Sequence, residues 1–137
     1  MFVDASAIVA ILTEEPDGTD LTAQIATADR RITNTLAIFE SVAAIFRVKR
    51  TTIERAEAQV LAFVETAAIE VLNIEQEDTS LALQAYALYG RHRYPDDRRN
   101  RSLSLADCYH YASAKAHRQP ILTKDVGFRE TEIPVCR

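Results

Sequence analysis

Phe2-Val3-Asp4-Ala5-Ser6-Ala7-Ile8-Val9-Ala10-Ile11-Leu12 reads as a short apolar strand that stops at a carboxylate and continues as an apolar helix. An aspartate at the carboxyl end of a strand, where the chain turns into a helix, occupies a site position in an open α/β sheet. Working outward, the first helix covers about 6–14 and is closed by Pro16 and Gly18, and a second runs from about Thr19 to Asp29. Arg31-Ile32-Thr33-Asn34 reads as a strand, and Thr35 is the expected N-cap of an apolar helix from Leu36 to about Arg50. That helix is hydrophobic nearly all round, which predicts a central position. Thr52 caps a further helix through Thr66, and the alternating Ile69-Glu70-Val71-Leu72-Asn73-Ile74 predicts a strand. A helix from about Glu77 to Arg91 leads into an arginine-rich loop broken by Pro95. Ser104 then starts a helix to about His117, and Gln119-Pro120-Ile121-Leu122-Thr123 leads to a strand ending near Asp125. Ile133-Pro134-Val135 adds an edge strand, where proline is tolerated. Strands alternating with helices imply right-handed crossovers and a mostly parallel sheet, with Asp4 and Asp125 on the same edge.

The chain has 137 residues, 47% of them hydrophobic and 26% charged, which suits one folded domain over 1–137 with a core that needs no disulfide or zinc. Cys108 and Cys136 are isolated, so Cys108 reads as a small core residue. The longest apolar run, Ala7 to Leu12, is far too short to cross a bilayer. A first strand beginning at residue 2 leaves no room for a signal peptide, so a cytoplasmic location with no membrane contact is expected. The net charge of −4 weighs against a nucleic-acid partner. However, four suspect carboxylates account for all of it, and five arginines lie within Arg91-His92-Arg93-Tyr94-Pro95-Asp96-Asp97-Arg98-Arg99-Asn100-Arg101. Such a local patch steers polyanions even on an acidic protein.

Those four carboxylates are Asp4, Glu40, Asp107 and Asp125. Glu40 has Leu36, Ala37, Ala43 and Ala44 as its helical neighbours, where an unpaired charge is expensive. A divalent cation is the least costly way to keep several such groups charged together, and hard oxygen ligands select magnesium or manganese. Each acid except Glu40 also has a purely structural reading. Asp4 suits an N-cap, Asp107 closes a capping box with Ser104, and Asp125 suits a turn. The arginine cluster is more often a solvated loop than a binding site. His110 and His117 lie seven residues apart, which does not make a zinc pair, and neither histidine is given a role. Glycine-rich phosphate loops and a nucleophile elbow are absent.

Phe2 to Ala7, Phe39-Glu40, Leu105-Ala106-Asp107-Cys108-Tyr109-His110-Tyr111-Ala112-Ser113-Ala114 and Ile121-Leu122-Thr123-Lys124-Asp125-Val126-Gly127-Phe128 resemble, in order and spacing, the PIN-domain ribonucleases. The length and the position of the first motif are similar to the VapC toxins of bacterial toxin–antitoxin pairs. The resemblance implies a three-layer α/β/α fold, an endoribonuclease dependent on Mg2+ or Mn2+, and a cognate antitoxin that occludes the site. It assigns the catalytic roles to Asp4, Glu40, Asp107 and Asp125, with Asp4, Asp107 and Asp125 as metal ligands and Ser6 and Thr123 as supporting hydroxyls. One departure is Gly127, where many relatives carry another acid before the final phenylalanine. Glu40 would orient the attacking water or complete the coordination shell, and the products would carry 5′-phosphate.

Arg91, Arg93, Arg98, Arg99 and Arg101 are the candidates for gripping an RNA backbone, because arginine forks match phosphate oxygens. The helices from Ile53 to Val64 and Glu77 to Arg91 are candidate homodimer surfaces. Rival readings are a PIN nuclease of RNA processing, a DNA-directed nuclease, and a non-catalytic α/β interaction module that binds one magnesium structurally.

Overall fold

In the computed structural model, which describes residues 1–136, five parallel strands form one sheet. The strands are β1 (Phe2–Val3), β2 (Ile32–Asn34), β3 (Glu70–Leu72), β4 (Ile121–Leu122) and β5 (Val135–Cys136), in spatial order β3-β2-β1-β4-β5. Phe2 pairs with both Ile32 and Ile121, and Val3 with Leu122. Six helices cover the sheet: α1 (Ala5–Leu12), α2 (Gly18–Thr27), α3 (Thr35–Lys49), α4 (Ile53–Thr66), α5 (Asp78–Tyr89) and α6 (Leu105–Ala116).

Successive side chains of a strand point to opposite faces, and the core divides accordingly. Phe2, Ile32 and Ile121 pack with Ala82, Ala85, Cys108, Tyr111 and Ala112 under α5 and α6. Val3 and Leu122 pack with Ile8, Leu21, Ile25, Ile45, Val60 and Val64 under α1 to α4. The result is the expected three-layer α/β/α sandwich with an all-parallel sheet.

The chain adds β2 and then β3 on one side of β1 and places β4 and β5 on the other, so the direction of winding reverses between β1 and β4. In a doubly wound sheet the crevice at the carboxyl ends of two such strands is where sites form. Asp4 follows β1 there, and Thr123 and Asp125 follow β4.

Several local expectations need correction. Asn34, not Thr35, caps α3: its side-chain oxygen accepts from the Ala37 amide at 2.9 Å. Nor is α3 buried all round. Ala37, Ser41, Val42 and Ile45 face the core, while Phe39 and Val48 are 71% and 63% exposed, so the helix flanks the sheet and leaves an apolar face in solvent. The arginine-rich stretch is not an irregular loop but two 3-10 turns, Arg91–Arg93 and Asp96–Arg101, on either side of Pro95. A third 3-10 turn, Val126–Glu130, follows Asp125. No helix is long and apolar enough to cross a membrane among the described residues.

Candidate active site

Local capping chemistry sets the direction of each acid in the crevice. Asp4 caps α1, and its Oδ2 accepts from the Ser6 amide at 3.3 Å, from the Ser6 hydroxyl and from the Thr123 hydroxyl at 2.8 Å. The Lys124 amide in turn donates to Ser6 Oγ at 2.9 Å, and the Asp125 amide to Thr123 Oγ1 at 3.0 Å. One oxygen of Asp4 is thereby saturated, and Oδ1 is left facing inward. Asp107 repeats the pattern on α6. Its Oδ2 accepts from the Ser104 amide at 2.8 Å while Ser104 Oγ accepts from the Asp107 amide at 3.2 Å, a complete capping box.

The free oxygens of both aspartates point at one side chain to which the sequence reading gave no role. His110 lies one helical turn after Asp107 and is 0% exposed. Its Nδ1 stands 3.0 Å from Asp4 Oδ1 and 3.8 Å from Asp107 Oδ1, and its Nε2 stands 3.1 Å from Glu40 Oε1. Phe2 packs against the ring, centroids 5.4 Å apart. These approaches are close enough for ion pairing, yet neither ring nitrogen nor Glu40 Oε1 has a hydrogen bond of good alignment. At these separations the attraction is chiefly between charges, and Nε2 stays within hydrogen-bonding distance of Glu40 Oε1.

The electrostatics follow from that arrangement. Burial pushes the Asp4 carboxyl up, but adjacent His110 and the Ser6 and Thr123 hydroxyls outweigh it and hold Asp4 below the ordinary carboxylate range. Burial likewise disfavours a charged His110, yet Asp4 and Glu40 together raise it to about 9. Asp107 is raised, by burial first and then by the charges of Asp125 and Asp4, against the opposing bonds to Ser104. Asp125 is raised by burial and by Asp4 and Glu40, although the Gly127 amide donates to its Oδ1 at 2.7 Å. One imidazolium thus offsets part of the charge of four carboxylates, and the cluster retains an unmet demand for positive charge.

A divalent cation fits that demand. Asp4 and Asp107 each offer one carboxylate oxygen and His110, once it gives up a ring proton, one nitrogen, and these atoms all lie within 4.8 Å of one another. Glu40, whose side chain is 37% exposed, and half-buried Asp125 border the cluster. The crevice opens into a groove of about 620 Å³ whose lining includes Ser6, Phe39, Glu40, Arg47 and Lys124. Gly127 is buried, and a Cβ there would meet the Arg101 carbonyl at 3.0 Å and Asp125 Oδ1 at 3.1 Å. A side chain at this position would require those neighbours to give by a few tenths of an ångström.

A doubly wound α/β/α sandwich with buried carboxylates at its switch point is an arrangement suited to metal-assisted phosphodiester hydrolysis. The PIN domain model matches residues 1–134, and the chain belongs to that family. Ribonuclease VapC of Mycolicibacterium smegmatis is 30% identical over 133 residues, covering 97% of each chain. Ribonuclease VapC28 of Mycobacterium tuberculosis is 31% identical, covering 97% of this chain and 95% of that one. The crystal structure of Mycobacterium tuberculosis VapC20, described as a Sarcin-Ricin loop cleaving toxin, superposes with a TM-score of 0.69 over 96% of this chain and 95% of that one. At 16% identity this last likeness carries the fold alone.

The crevice brings together Asp4, Asp107, Ser6 and Thr123, with Glu40 and Asp125 at its border. Arg91, Arg93, Arg98, Arg99 and Arg101 are exposed on the turns leading into α6. Arg99 pairs with Asp96 at 2.6 Å and Arg101 with Glu130 at 3.3 Å. His110 is the residue that sequence reading missed. The available signal was its spacing: a histidine three residues after a capping aspartate shares a helix face with it.

Proposed function

We propose that the chain is a metal-dependent endoribonuclease, the toxin of a toxin–antitoxin pair, with Asp4 and Asp107 as its central carboxylates and Mg2+ or Mn2+ as its ion. One observation carries the reading: two buried aspartates each have one oxygen fixed by backbone and hydroxyl donors and turn the other toward the same point. Asp4 and Asp107 would hold a divalent ion there, which would supply a Lewis acid to make water nucleophilic at neutral pH and to offset charge building on the scissile phosphate. The protein's part is to hold the ligand oxygens fixed, so that no carboxylate has to be reoriented or desolvated during the reaction. Glu40 and Asp125 border this point and are suited to orient water in the groove. Ser6 and Thr123 hold Asp4 in its rotamer and hold the β4 turn against α1.

The exposed arginines support an RNA partner, with Arg91, Arg93 and Arg98 free of ion pairs among the described residues. Exposed Leu83, Tyr86 and Leu88 on α5 and Leu61 on α4 support a homodimer. Curated relatives named as VapC ribonucleases support the toxin assignment over RNA processing. A small DNA-binding protein encoded beside this chain that copurifies with it and abolishes cleavage is the matching result.

The test is cleavage of total cellular RNA by the purified, antitoxin-free chain with Mg2+, with Mn2+ and with chelator. Discrete fragments bearing 5′-phosphate and 3′-hydroxyl ends, lost in chelator, are expected. Ends carrying 2′,3′-cyclic phosphate would refute the mechanism, since they require the ribose hydroxyl as nucleophile.

A further inference from the structure

A site of carboxylates and water suits magnesium, whereas an imidazole ligand moves preference toward first-row transition metals. The ring of His110 is fully buried, both its nitrogens lack an aligned hydrogen-bond partner, and Nδ1 is aimed at the inward oxygens of Asp4 and Asp107. Its separations of 3.0 Å and 3.8 Å from those oxygens are what two ligands show on one ion with bonds of about 2.1 Å. Nε2 points the other way, to Glu40 Oε1 at 3.1 Å. A ligating histidine characteristically donates its second ring N–H to a carboxylate, which fixes the tautomer and the ring plane. Phe2 closes the remaining side of the ring.

Resting on the metal-dependent reading above, we infer that His110 Nδ1 is itself a metal ligand beside Asp4 and Asp107, that Glu40 is the positioning residue that orients His110, and that the site therefore selects Mn2+ over Mg2+. Ligation uses the Nδ1 lone pair, so a proton on that nitrogen leaves to solvent as the ion arrives, while Nε2 keeps its proton toward Glu40. The inward oxygens of Asp4 and Asp107 then bind the ion instead of facing a ring N–H. Glu40 acts through the ring, which accounts for a carboxylate at the border of the cluster having its Oε1 buried against His110.

The decisive experiment uses the unmodified full-length chain, stripped of metal and loaded with Mn2+ alone, and reads electron spin-echo modulation from coordinated nitrogen. Modulation from one directly bound 14N is expected, changing to the 15N pattern when the histidines carry 15N. Competition by Mg2+ should displace the Mn2+ only at roughly 10–100-fold excess, a shift of the size that shell substitutions produce. Glu40→Gln, which keeps an oxygen acceptor for Nε2–H, should retain most of the Mn2+ affinity, and Glu40→Ala should lose about 10-fold or more. Bound Mn2+ with no nitrogen coupling, or equal loss in both Glu40 variants, overturns this inference and leaves the nuclease reading standing. Failure to bind Mn2+ overturns the inference as well, and failure to bind either Mn2+ or Mg2+ overturns the metal-dependent reading with it. Because the central readout is on the unaltered protein, a buried variant that fails to fold cannot obscure the result.

Discussion

Helix α6 carries two carboxylate networks, and they are built to opposite specifications. At the end away from the crevice, Glu132 is fully matched. Its Oε1 accepts from the Tyr111 hydroxyl at 2.6 Å and from Lys115 Nζ at 2.8 Å, and its Oε2 accepts from the Tyr89 hydroxyl at 3.0 Å. Burial nudges Glu132 upward, but Lys115 and the tyrosines prevail and hold it down at about 2. At the crevice end, three acids face one histidine with a fourth, Asp125, beside them, no approach to that ring is well aligned, and two of the aspartates are pushed up. A network whose donors match its acceptors fastens α5, α6 and the C-terminal segment together. One left short of positive charge is poised for a ligand.

That contrast can be broken, most severely by Asp4→Asn. Asparagine caps a helix as well as aspartate does, so the fold should survive, while RNA cleavage should fall by at least about 100-fold, as for other groups that stabilise developing charge. Paired thermal-unfolding and cleavage assays check both halves. Gly127→Asp adds an acid to the end that already has too many. The close Arg101 carbonyl should make it destabilising by about 1–3 kcal/mol in denaturant titration, with no gain in metal affinity.

Glu132→Gln tests the matched end. It should destabilise the fold by about 1 kcal/mol, discounted for the half-exposed position, and leave cleavage unchanged. The pH dependence has a definite sign. Because the folded carboxyl lies at about 2 against an ordinary value of 4.5, its contribution is present above pH 4.5 and fades as pH falls toward 2. The gap between wild type and Glu132→Gln should close over that window. The smallest effect is expected from Arg98→Ala with Arg99→Ala. RNA affinity should drop a few-fold and its dependence on salt should flatten, by roughly 0.7 in slope for each phosphate that is no longer neutralised. Arg99 contributes the lesser share, since Asp96 already engages it.

The sequence showed much of this because local chemistry fixes much of it. The strand-to-helix junction at Asp4, the Ser104–Asp107 capping box and the turn after Asp125 all follow from short-range rules, and all three are present. For Asp4 and Asp107 the structural reading holds and does not compete with the catalytic one: the cap holds one oxygen and thereby aims the other into the crevice. What could not be read locally was His110. Its importance comes from Asp4 and Glu40, more than 60 positions away in the chain, and a solitary histidine in an apolar helix gives no sign of such partners. The cap of α3 was misplaced by one residue because Asn34 and Thr35 are both good caps. The side chain of Asn34 also reaches Ser113 Oγ at 3.0 Å, a tertiary interaction that favours it. Glu40 was read as enclosed because its neighbours are apolar, yet Phe39 beside it faces solvent.

The position of β1 in the middle of the sheet also bears on when the enzyme becomes dangerous. It precedes β4 by more than a hundred residues, so the strand gains its second neighbour only when β4 is present, and Asp4 meets Thr123 across 119 positions of sequence. A growing chain therefore carries its first carboxylate without the segments that aim it. The crevice between β1 and β4 can close only after nearly all of those intervening residues have been made.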